Sequence, residues 1–339
     1  MAQARPTLQT VARAAGTSVA TVSKVLNDRP GVSAETRERV IEALASSKYE
    51  RSTDDATARR QYIVCSAENF ATPYSSTILS GMVNAASGFH IDLVVRSLND
   101  AARVSDAESA SSWVRQISGA LGVVVLTTSL SAELVHAIRR AQVPIVTIDP
   151  IGTSDSNFVS ISATNWMGGR TATDHLIELG HRRIAWLGGV PDSAPSIERR
   201  LGFVSAMQQA DLSIDDRYVS ADDFSFESGL ERARSLLALP TRPTGFVCAN
   251  DDIALGVVQA ARERSLEIPG QVSIIGFDDV PQARQLSPKL TTVHQPLTGM
   301  GAMAVETLLS LSRGGSPASS QIQLATSLVI RDTTGKPGS

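Results

Sequence analysis

The chain has 339 residues, 42% hydrophobic and 19% charged, with a formal net charge of −3 at pH 7. This length favours two or three folding units, and the composition excludes a disordered or fibrous protein. No apolar run reaches the roughly 18 residues of a membrane span, and no basic tip followed by an apolar run opens the chain, so neither a membrane protein nor a secretory signal is expected.

Charge is unevenly distributed along the chain. Residues 1–60 hold ten basic and seven acidic side chains, whereas the remainder holds 21 basic and 27 acidic ones. A basic first segment on an acidic body suits a protein whose phosphate contacts lie at one end. Cys65 and Cys248 lie far apart in apolar, strand-like runs, which predicts buried, reduced thiols and a cytoplasmic protein.

Three short helices are predicted in the first 48 residues. Thr7 is a good N-cap for the first helix, which Gly16 ends because glycine reaches left-handed backbone angles without steric cost. Thr17 and Ser18 offer a cap for the second helix, and Ser33 caps the third. The expected core positions are Leu8, Val11, Ala12 and Ala15 in the first helix, Val22, Val25 and Leu26 in the second, and Val40, Ile41 and Leu44 in the third.

The first two helices, which are separated by a few residues around a glycine, form a predicted helix-turn-helix. The outward face of the second helix carries short or polar side chains, which suits a helix that enters the major groove of DNA. Residues 7–27, TLQTVARAAGTSVATVSKVLN, followed by VSAETRERVIEAL, resemble the headpiece of the LacI/GalR family of bacterial transcriptional regulators. The resemblance implies a sequence-specific DNA-binding regulator.

The resemblance also implies roles for individual residues of this headpiece. Val19 and Ala20, at the start of the second helix, would read base edges, with a preference for thymine methyl groups. Lys24, one turn further on, would reach a guanine edge or a phosphate. The predicted residues that would position the helix on the DNA backbone are Ser18, Thr21, Ser23, Asn27 and Arg29. Thr7 is also a predicted DNA-binding residue.

The linker, residues 49–61, departs from the pattern of the family. Members usually carry Tyr-x-Pro-Asn and then a leucine that wedges into the minor groove. This chain keeps Tyr49 but has Arg51 for the proline, Ser52 for the asparagine and Ala58 for the leucine, with Asp54 and Asp55 between them. Two interpretations stay open. Either Ser52 or Thr53 caps a short helix whose aspartates lie at its positive end, or the linker is a flexible tether that bends DNA little.

Beyond the linker, apolar runs alternate with amphipathic stretches. Runs of four to six apolar residues between helices predict parallel strands that are covered on both faces, in two doubly wound α/β lobes. The strand-like runs are YIVCSA, IDLVV, LGVVVL, VPIVTI, RRIAWLGG, TGFVCAN and VSIIGF. Together with NWMGGRTATDHLIELGHRRIAWLGG, CANDDIALGV and LTTVHQPLTGMG, they resemble the periplasmic-binding-protein-like core of the same family.

The predicted fold class is therefore an all-α helix-turn-helix headpiece plus an α/β core of two lobes. The resemblance implies that the chain crosses between the lobes near Ser162, Thr291 and Leu324. The expected division is a headpiece at 1–48, a linker at 49–61, a first lobe at 62–162 and 292–324, a second lobe at 163–291 and 325–332, and a disordered tail at 333–339.

Four polar residues are predicted at strand ends or in the turns that follow them: Asp149, Arg199, Asn250 and Asp278. A carboxylate accepts from two vicinal hydroxyls, an arginine donates a planar fork, and an asparagine does both, so the set suits a sugar or polyol. Each residue alone could instead be a turn residue or part of an ion pair between lobes. The resemblance places all four in an effector cleft.

The resemblance also suggests apolar contacts to that effector. Tyr74, Trp166 and Phe224 fall at predicted loop positions where an aromatic face could stack on a pyranose. Gln295 could bond the effector or merely cap the crossover. A sugar is the favoured effector and a nucleobase is the alternative.

The sequence argues against an enzyme. No G-x-G-x-x-G follows the first strand, no phosphate loop is present, and the five histidines show no metal spacing. No catalytic residue, cofactor or metal is therefore predicted. The resemblance implies a homodimer on a pseudo-palindromic operator, and the tail lacks the heptads of a tetramerisation helix. Relief of repression by the effector is favoured, and a corepressor stays open.

Overall fold

The computed structural model describes residues 7–26, 31–47, 61–97, 106–151 and 158–338. The chain divides into two compact units, Met1–Arg60 and Gln61–Ser339. The predicted linker lies almost wholly outside the described residues. In the part that is described, no helix is both long and apolar enough to cross a membrane.

The described residues of the first unit form three helices. They are α1 (Leu8–Ala14), α2 (Val19–Leu26) and α3 (Ala34–Ser46). The Thr7 hydroxyl accepts from the Thr10 amide at 3.3 Å at the start of α1, as predicted for an N-cap. Gly16 has φ +62°, a left-handed angle that lets the chain turn between α1 and α2.

The core of this unit contains most of the predicted positions. Its buried residues are Val11, Ala12, Ala15, Val22, Val25, Val40 and Ala43. The prediction for Ile41 is wrong, because its side chain is 54% exposed. Val40 and Ala43 lie on one face of α3, and Ile41 is rotated about 100° away from Val40 on a helix of 3.6 residues per turn.

The second unit begins with a lobe built on a six-stranded sheet. Its strands are β1 (Tyr62–Ala67), β2 (Asp92–Ser97), β3 (Val123–Leu126), β4 (Ile145–Ile148), β5 (Val159–Ala163) and β11 (Gln321–Leu324), in the order β11-β5-β4-β3-β1-β2. Its helices are α4 (Pro73–Gly88), α5 (Ala107–Gln116), α6 (Ala132–Ala141) and α12 (Leu297–Ser312). All pairings in this sheet are parallel.

The second lobe repeats this architecture. Its strands are β6 (Ile184–Gly188), β7 (Val219–Ala221), β8 (Gly245–Cys248), β9 (Ser273–Asp278), β10 (Thr291–His294) and β12 (Ser327–Val329), in the order β12-β10-β9-β8-β6-β7. Its helices are α7 (Asn165–Glu178), α8 (Ala194–Gln209), α9 (Phe226–Leu237), α10 (Asp251–Glu263) and α11 (Pro281–Gln285). Only the β10–β12 pair is antiparallel among the described strands.

Central strands such as β3, β4 and β8 are buried along their whole length, as the apolar runs predict, whereas β2 is a partly exposed edge strand. Both cysteines are free and buried. The predicted two-lobed α/β class is confirmed.

The chain passes between the sheets after β5, after β10 and after β11. The expected crossing near Thr291 is wrong, because Thr291 begins β10, whose backbone pairs with β9 of the second lobe. The chain leaves that lobe only at Gln295 and Pro296. The first crossing comes at Thr164, between β5 and α7, two residues after the expected Ser162.

The prediction of a disordered tail from residue 333 is also wrong. Thr333 is buried, accepts from the Thr291 amide at 2.8 Å and donates to the Ile274 carbonyl at 2.7 Å. Thr334 bonds His175 at 3.1 Å, and the Gly335 carbonyl lies 2.9 Å from Nε2 of His181. These bonds fix residues 333–335 to the second lobe. The sequence did not predict them, because short polar residues without hydrophobic periodicity give no signal of order.

Candidate functional site

A cavity of about 440 Å³ lies between the two lobes, at the carboxyl ends of both sheets. The first lobe contributes Glu68, Asn69, Thr72, Tyr74, Ser75, Thr127, Asp149 and Ile151; the second contributes Val190, Ser193, Pro195, Arg199, Asp223, Phe224, Asn250, Asp252 and Asp278. In open parallel sheets, ligands bind at this edge of the strands. The volume suits a small molecule.

Two other cavities have comparable volumes. One, of about 500 Å³, lies on the first lobe alone, beside His136 and Phe158. The other, of about 530 Å³, is lined by Gln295, His294 and Arg284 and shares Asp278 with the 440 Å³ cavity. Of these three cavities among the described residues, the 440 Å³ cavity is the one that joins the strand ends of both sheets, so it is the candidate effector site.

Strand ends reach this cavity through unusual backbone angles. Thr127 after β3, Asp149 after β4 and Asp278 at the end of β9 have φ of 46°, 44° and 111°. Such angles are uncommon for residues other than glycine, and they cluster at functional sites. They turn the polar side chains across the ends of the sheets.

Arg199 is the centre of the second-lobe side. Its side chain is 3% exposed and lies over the Phe277 ring, 3.8 Å from the ring centroid. Nη1 donates to the Ala249 carbonyl at 2.5 Å and lies 3.6 Å from Asp278 Oδ1. Burial raises the pKa of Asp278 to about 7, although the Arg199 charge lowers it. The result is a buried ion pair facing the cavity.

Asp149 is the centre of the first-lobe side. Tyr74 donates its hydroxyl to Oδ2 of Asp149, and Ser162 donates to Oδ1. Burial raises the pKa of Asp149, and the hydrogen bonds from Ser162 and Tyr74 oppose that rise. Burial, and then the charge of Asp149, raise the pKa of Tyr74, so the phenol stays a donor.

Asn250 is the N-cap of α10 and also holds an aromatic residue. Its Oδ1 accepts from the Ile253 amide at 2.9 Å, and its Nδ2 donates to the Phe224 carbonyl at 3.0 Å. The Phe224 ring packs against Gly189, where a Cβ would lie 2.2 Å from the ring. Glycine at 189 therefore leaves the space that Phe224 occupies beside the cavity.

Six of the eight predicted effector residues line this cavity: Tyr74, Asp149, Arg199, Phe224, Asn250 and Asp278. Two of their positions differ from the prediction. Arg199 lies inside α8 rather than at a strand end, since Ser193 caps that helix. Tyr74 lies in the first turn of α4, not in a loop. Their contact with an effector stays a prediction.

Trp166 and Gln295 are not among the residues that line the cavity. Trp166 is on α7, 38% exposed, with the Arg170 guanidinium 5.6 Å from its ring centroid. Its neighbours Asn165, Gly168 and Gly169 occupy the buried face of α7, so Trp166 points away. Gln295 is buried and donates to Asp278 Oδ1 at 2.5 Å, which makes its link to the site indirect.

Sequence reasoning missed several polar residues at the site. Glu68 directly follows β1 and Thr127 directly follows β3, so the strand-end rule would have found both. Ser162 and Asn165, which bond site residues without lining the cavity, had no such signal. Among the described residues, no cluster of His, Cys, Asp or Glu could hold a metal ion.

In the first unit, the predicted reading residues lie on an open face. Val19 is 39% exposed at the start of α2, and Ala20 and Lys24 are also exposed. Ser18 and Thr21 bond each other through their hydroxyls at 2.9 Å, and Ser18 accepts from the Thr21 amide at 3.1 Å.

The other predicted DNA-binding residues are partly buried, take part in a helix cap, or lie outside the described residues. Ser23 is half-buried, and Thr7 is the cap of α1. Asn27 and Arg29 lie outside the described residues. DNA contact by any of these side chains stays a prediction.

A helix-turn-helix with an open second helix, in one chain with a two-lobed core around a polar cavity, defines a class of DNA-binding regulators with a ligand-binding core.

Comparison with known proteins gives the family. The model for bacterial regulatory proteins of the lacI family matches residues 7–52, and a periplasmic binding protein-like domain matches residues 173–334. The ribose operon repressor of Haemophilus influenzae is 30% identical over 335 residues, which cover 96% of this chain and 98% of that protein.

Solved structures agree over nearly the whole chain. The Lac repressor dimer bound to operator and the anti-inducer ONPF aligns with a TM-score of 0.79 at 28% identity, covering 98% of this chain and 100% of that one. The complex of the transcriptional regulator CelR with cellobiose aligns with a TM-score of 0.71 at 28% identity, covering 97% and 100%. This chain belongs to the LacI family of bacterial regulatory proteins. It is a DNA-binding transcriptional regulator and not an enzyme, as its sequence predicts.

Proposed function

We propose that this regulator is a repressor whose operator affinity is controlled by a sugar-like effector in the 440 Å³ cavity. The observation that carries the proposal is the set of hydrogen-bonding groups from both lobes in one cavity, with Asp149 on one side and Arg199, Asn250 and Asp278 on the other. Carboxylate, guanidinium and amide groups together match the paired donors and acceptors of vicinal hydroxyls. Phe224 offers an apolar face beside them.

The relatives support this class of effector. One is named a ribose operon repressor and another was solved with cellobiose. A nucleobase is the alternative, since a planar ring could also stack on Phe224. We further propose a homodimer, as the Lac repressor forms on its operator, that acts on a pseudo-palindromic site in the cytoplasm. Symmetric headpieces would then contact symmetric half-sites.

The test is DNA binding at fixed salt, with the region upstream of the protein's own gene as the probe. D-ribose, cellobiose, hypoxanthine and guanine are added one at a time. Specific binding that one sugar abolishes supports the proposal and identifies the effector class. Release by a nucleobase alone would move the effector to the alternative class, and binding that requires an added compound would reverse the sign of regulation. No specific binding under any condition would contradict the proposal.

Lys24 provides a test of the DNA interface. We expect Lys24→Ala to weaken operator binding by roughly 10-fold, because the variant lacks the exposed ammonium group on α2 that would contact DNA. A phosphate contact predicts a uniform loss across sequences and a salt slope smaller by about 1, whereas a guanine contact predicts relaxed specificity at one base pair.

Fluorescence anisotropy against an operator and its single-base variants, at several salt concentrations, separates these two results. Arg39→Ala is the matched control, since Arg39 is an exposed basic residue on α3. Equal losses of operator affinity in both variants would mean that Lys24 acts only through the net charge of the headpiece and makes no specific contact with DNA.

A further inference from the structure

Arg199 and Asp278 are each held by a buried amide side chain from a connection between the lobes. Asn165 begins α7 just after the first connection, is fully buried, and accepts from Arg199 Nε at 2.8 Å. Gln295 begins the second connection and donates to Asp278 at 2.5 Å. Neither amide lines the 440 Å³ cavity. Both partners of the ion pair are therefore supported from the segments that join the lobes.

The contacts of Asn165 continue into the first lobe. Its Nδ2 donates to Ser162 Oγ at 3.0 Å, and Ser162 donates to Asp149. The donors thus run in one direction, from Arg199 through Asn165 and Ser162 to Asp149. The two ends of this chain carry opposite charges, lie in different lobes and line the same cavity. The third connection has no such link, since Thr326 bonds only Thr164 there in the described contacts.

We propose that Asn165 is a positioning residue that links the geometry of Arg199 to the first connection between the lobes. Its carbonyl oxygen fixes the direction in which the Arg199 fork points, and its amide group anchors that oxygen to Ser162 and so to Asp149. A movement of one lobe on the other therefore changes the position of Arg199. Effector binding at Arg199 and closure of the lobes are then coupled, so each favours the other by the same free energy.

The chemistry of the position supports more than a space-filling role. A buried apolar side chain at 165 would leave Arg199 Nε without its acceptor and Ser162 Oγ without a donor, and buried polar groups left unpaired are costly. Asn165 supplies both groups at once, one to each lobe. The proposal rests on the proposed function only in giving Arg199 an effector to bind; the link itself can be measured without one.

The test is hydrogen–deuterium exchange of the full-length protein with no added compound. We expect Asn165→Ala to speed amide exchange at residues 249–254 by on the order of tenfold, because a misplaced Arg199 no longer holds the Ala249 carbonyl. Asn165 does not bond that segment itself. The Arg199→Ala variant should show the same acceleration there, and the double variant should add nothing to it.

Two further variants separate positioning from general stability. Asn165→Asp keeps an acceptor for Arg199 but lacks the donor to Ser162, so it should slow exchange at 249–254 relative to Asn165→Ala without reaching the native rate. Thr326→Val removes the two hydroxyl bonds of the third connection, keeps the bond from its backbone amide to Thr164, and should change exchange only near 163–165 and 324–327. Acceleration confined to 162–166 in Asn165→Ala, uniform acceleration through both lobes, or no rescue by aspartate would each overturn the proposal.

The exchange result does not depend on which effector binds. If D-ribose, cellobiose, hypoxanthine and guanine all fail to affect DNA binding, the proposed function fails while the role of Asn165 can still hold. If one of them releases DNA and Asn165→Ala leaves exchange at 249–254 unchanged, the role of Asn165 fails while the proposed function stands.

Discussion

Replacement of Arg199 by alanine is expected to lower the unfolding free energy of the core by about 3 kcal/mol at pH 8 and to abolish effector binding. The substitution leaves the buried Asp278 carboxylate without its charge partner and removes the donors to Asn165 and the Ala249 carbonyl. Removing one partner of a buried ion pair costs more than the pair contributes, because the remaining charge stays desolvated.

The loss should depend on pH in a defined direction. The pKa of Asp278 is about 7 in the folded protein and 3.8 in an unperturbed carboxyl, so the folded state binds its proton more tightly. The ionisation of Asp278 therefore costs stability as the pH rises from about 4 to 7. Without Arg199 the folded pKa rises further, so the variant should lose more stability at pH 8 than at pH 5.

Urea unfolding followed by tryptophan fluorescence measures this loss in the core alone. Trp113, Trp166 and Trp186 are the three tryptophans of the chain, and all belong to the second unit. Arg232→Ala is the control, because its ion pair with Asp222 is about half exposed and should contribute little. A loss for Arg199→Ala that is equal at pH 5 and pH 8 would contradict the buried pair with Asp278.

Gly169→Ala is expected to lower the unfolding free energy by about 3 kcal/mol and to weaken effector binding more than any surface change. Helices α7 and α8 meet here so closely that a Cβ on Gly169 would lie 2.1 Å from the Arg199 carbonyl oxygen. That atom belongs to the backbone, so the added methyl group must push α8 away. The Arg199 side chain would move with its helix.

The same two measurements, urea unfolding and binding of the panel compound that releases DNA, test this expectation. Gly88→Ala is a matched control at the end of α4, where nothing lies within 4 Å of the added Cβ and alanine favours the helix. It should leave both quantities unchanged or raise stability slightly. If Gly169→Ala unfolds like Gly88→Ala, the close contact of α7 and α8 is not what fixes Arg199.

Local signals in the sequence determined many of the elements and much of the site. The Thr7 cap and Gly16 marked the helix-turn-helix, because capping and left-handed angles depend on one or two residues. Apolar runs marked seven of the twelve described strands, and Asp149, Asn250 and Asp278 followed from the rule that parallel strands end at one edge. The family followed from motifs that cover most of the chain.

The tertiary structure alone decided which side chains meet. Arg199 and Asn165 are 34 residues apart and touch only because α7 and α8 cross at glycines. Trp166 turned outward because the residues beside it face the core, and the segment after Asp332 is held by His175 and His181 on other elements. Hydrophobic patterning reports how a residue sits on its own helix or strand, whereas a contact depends on how two elements distant in sequence pack together.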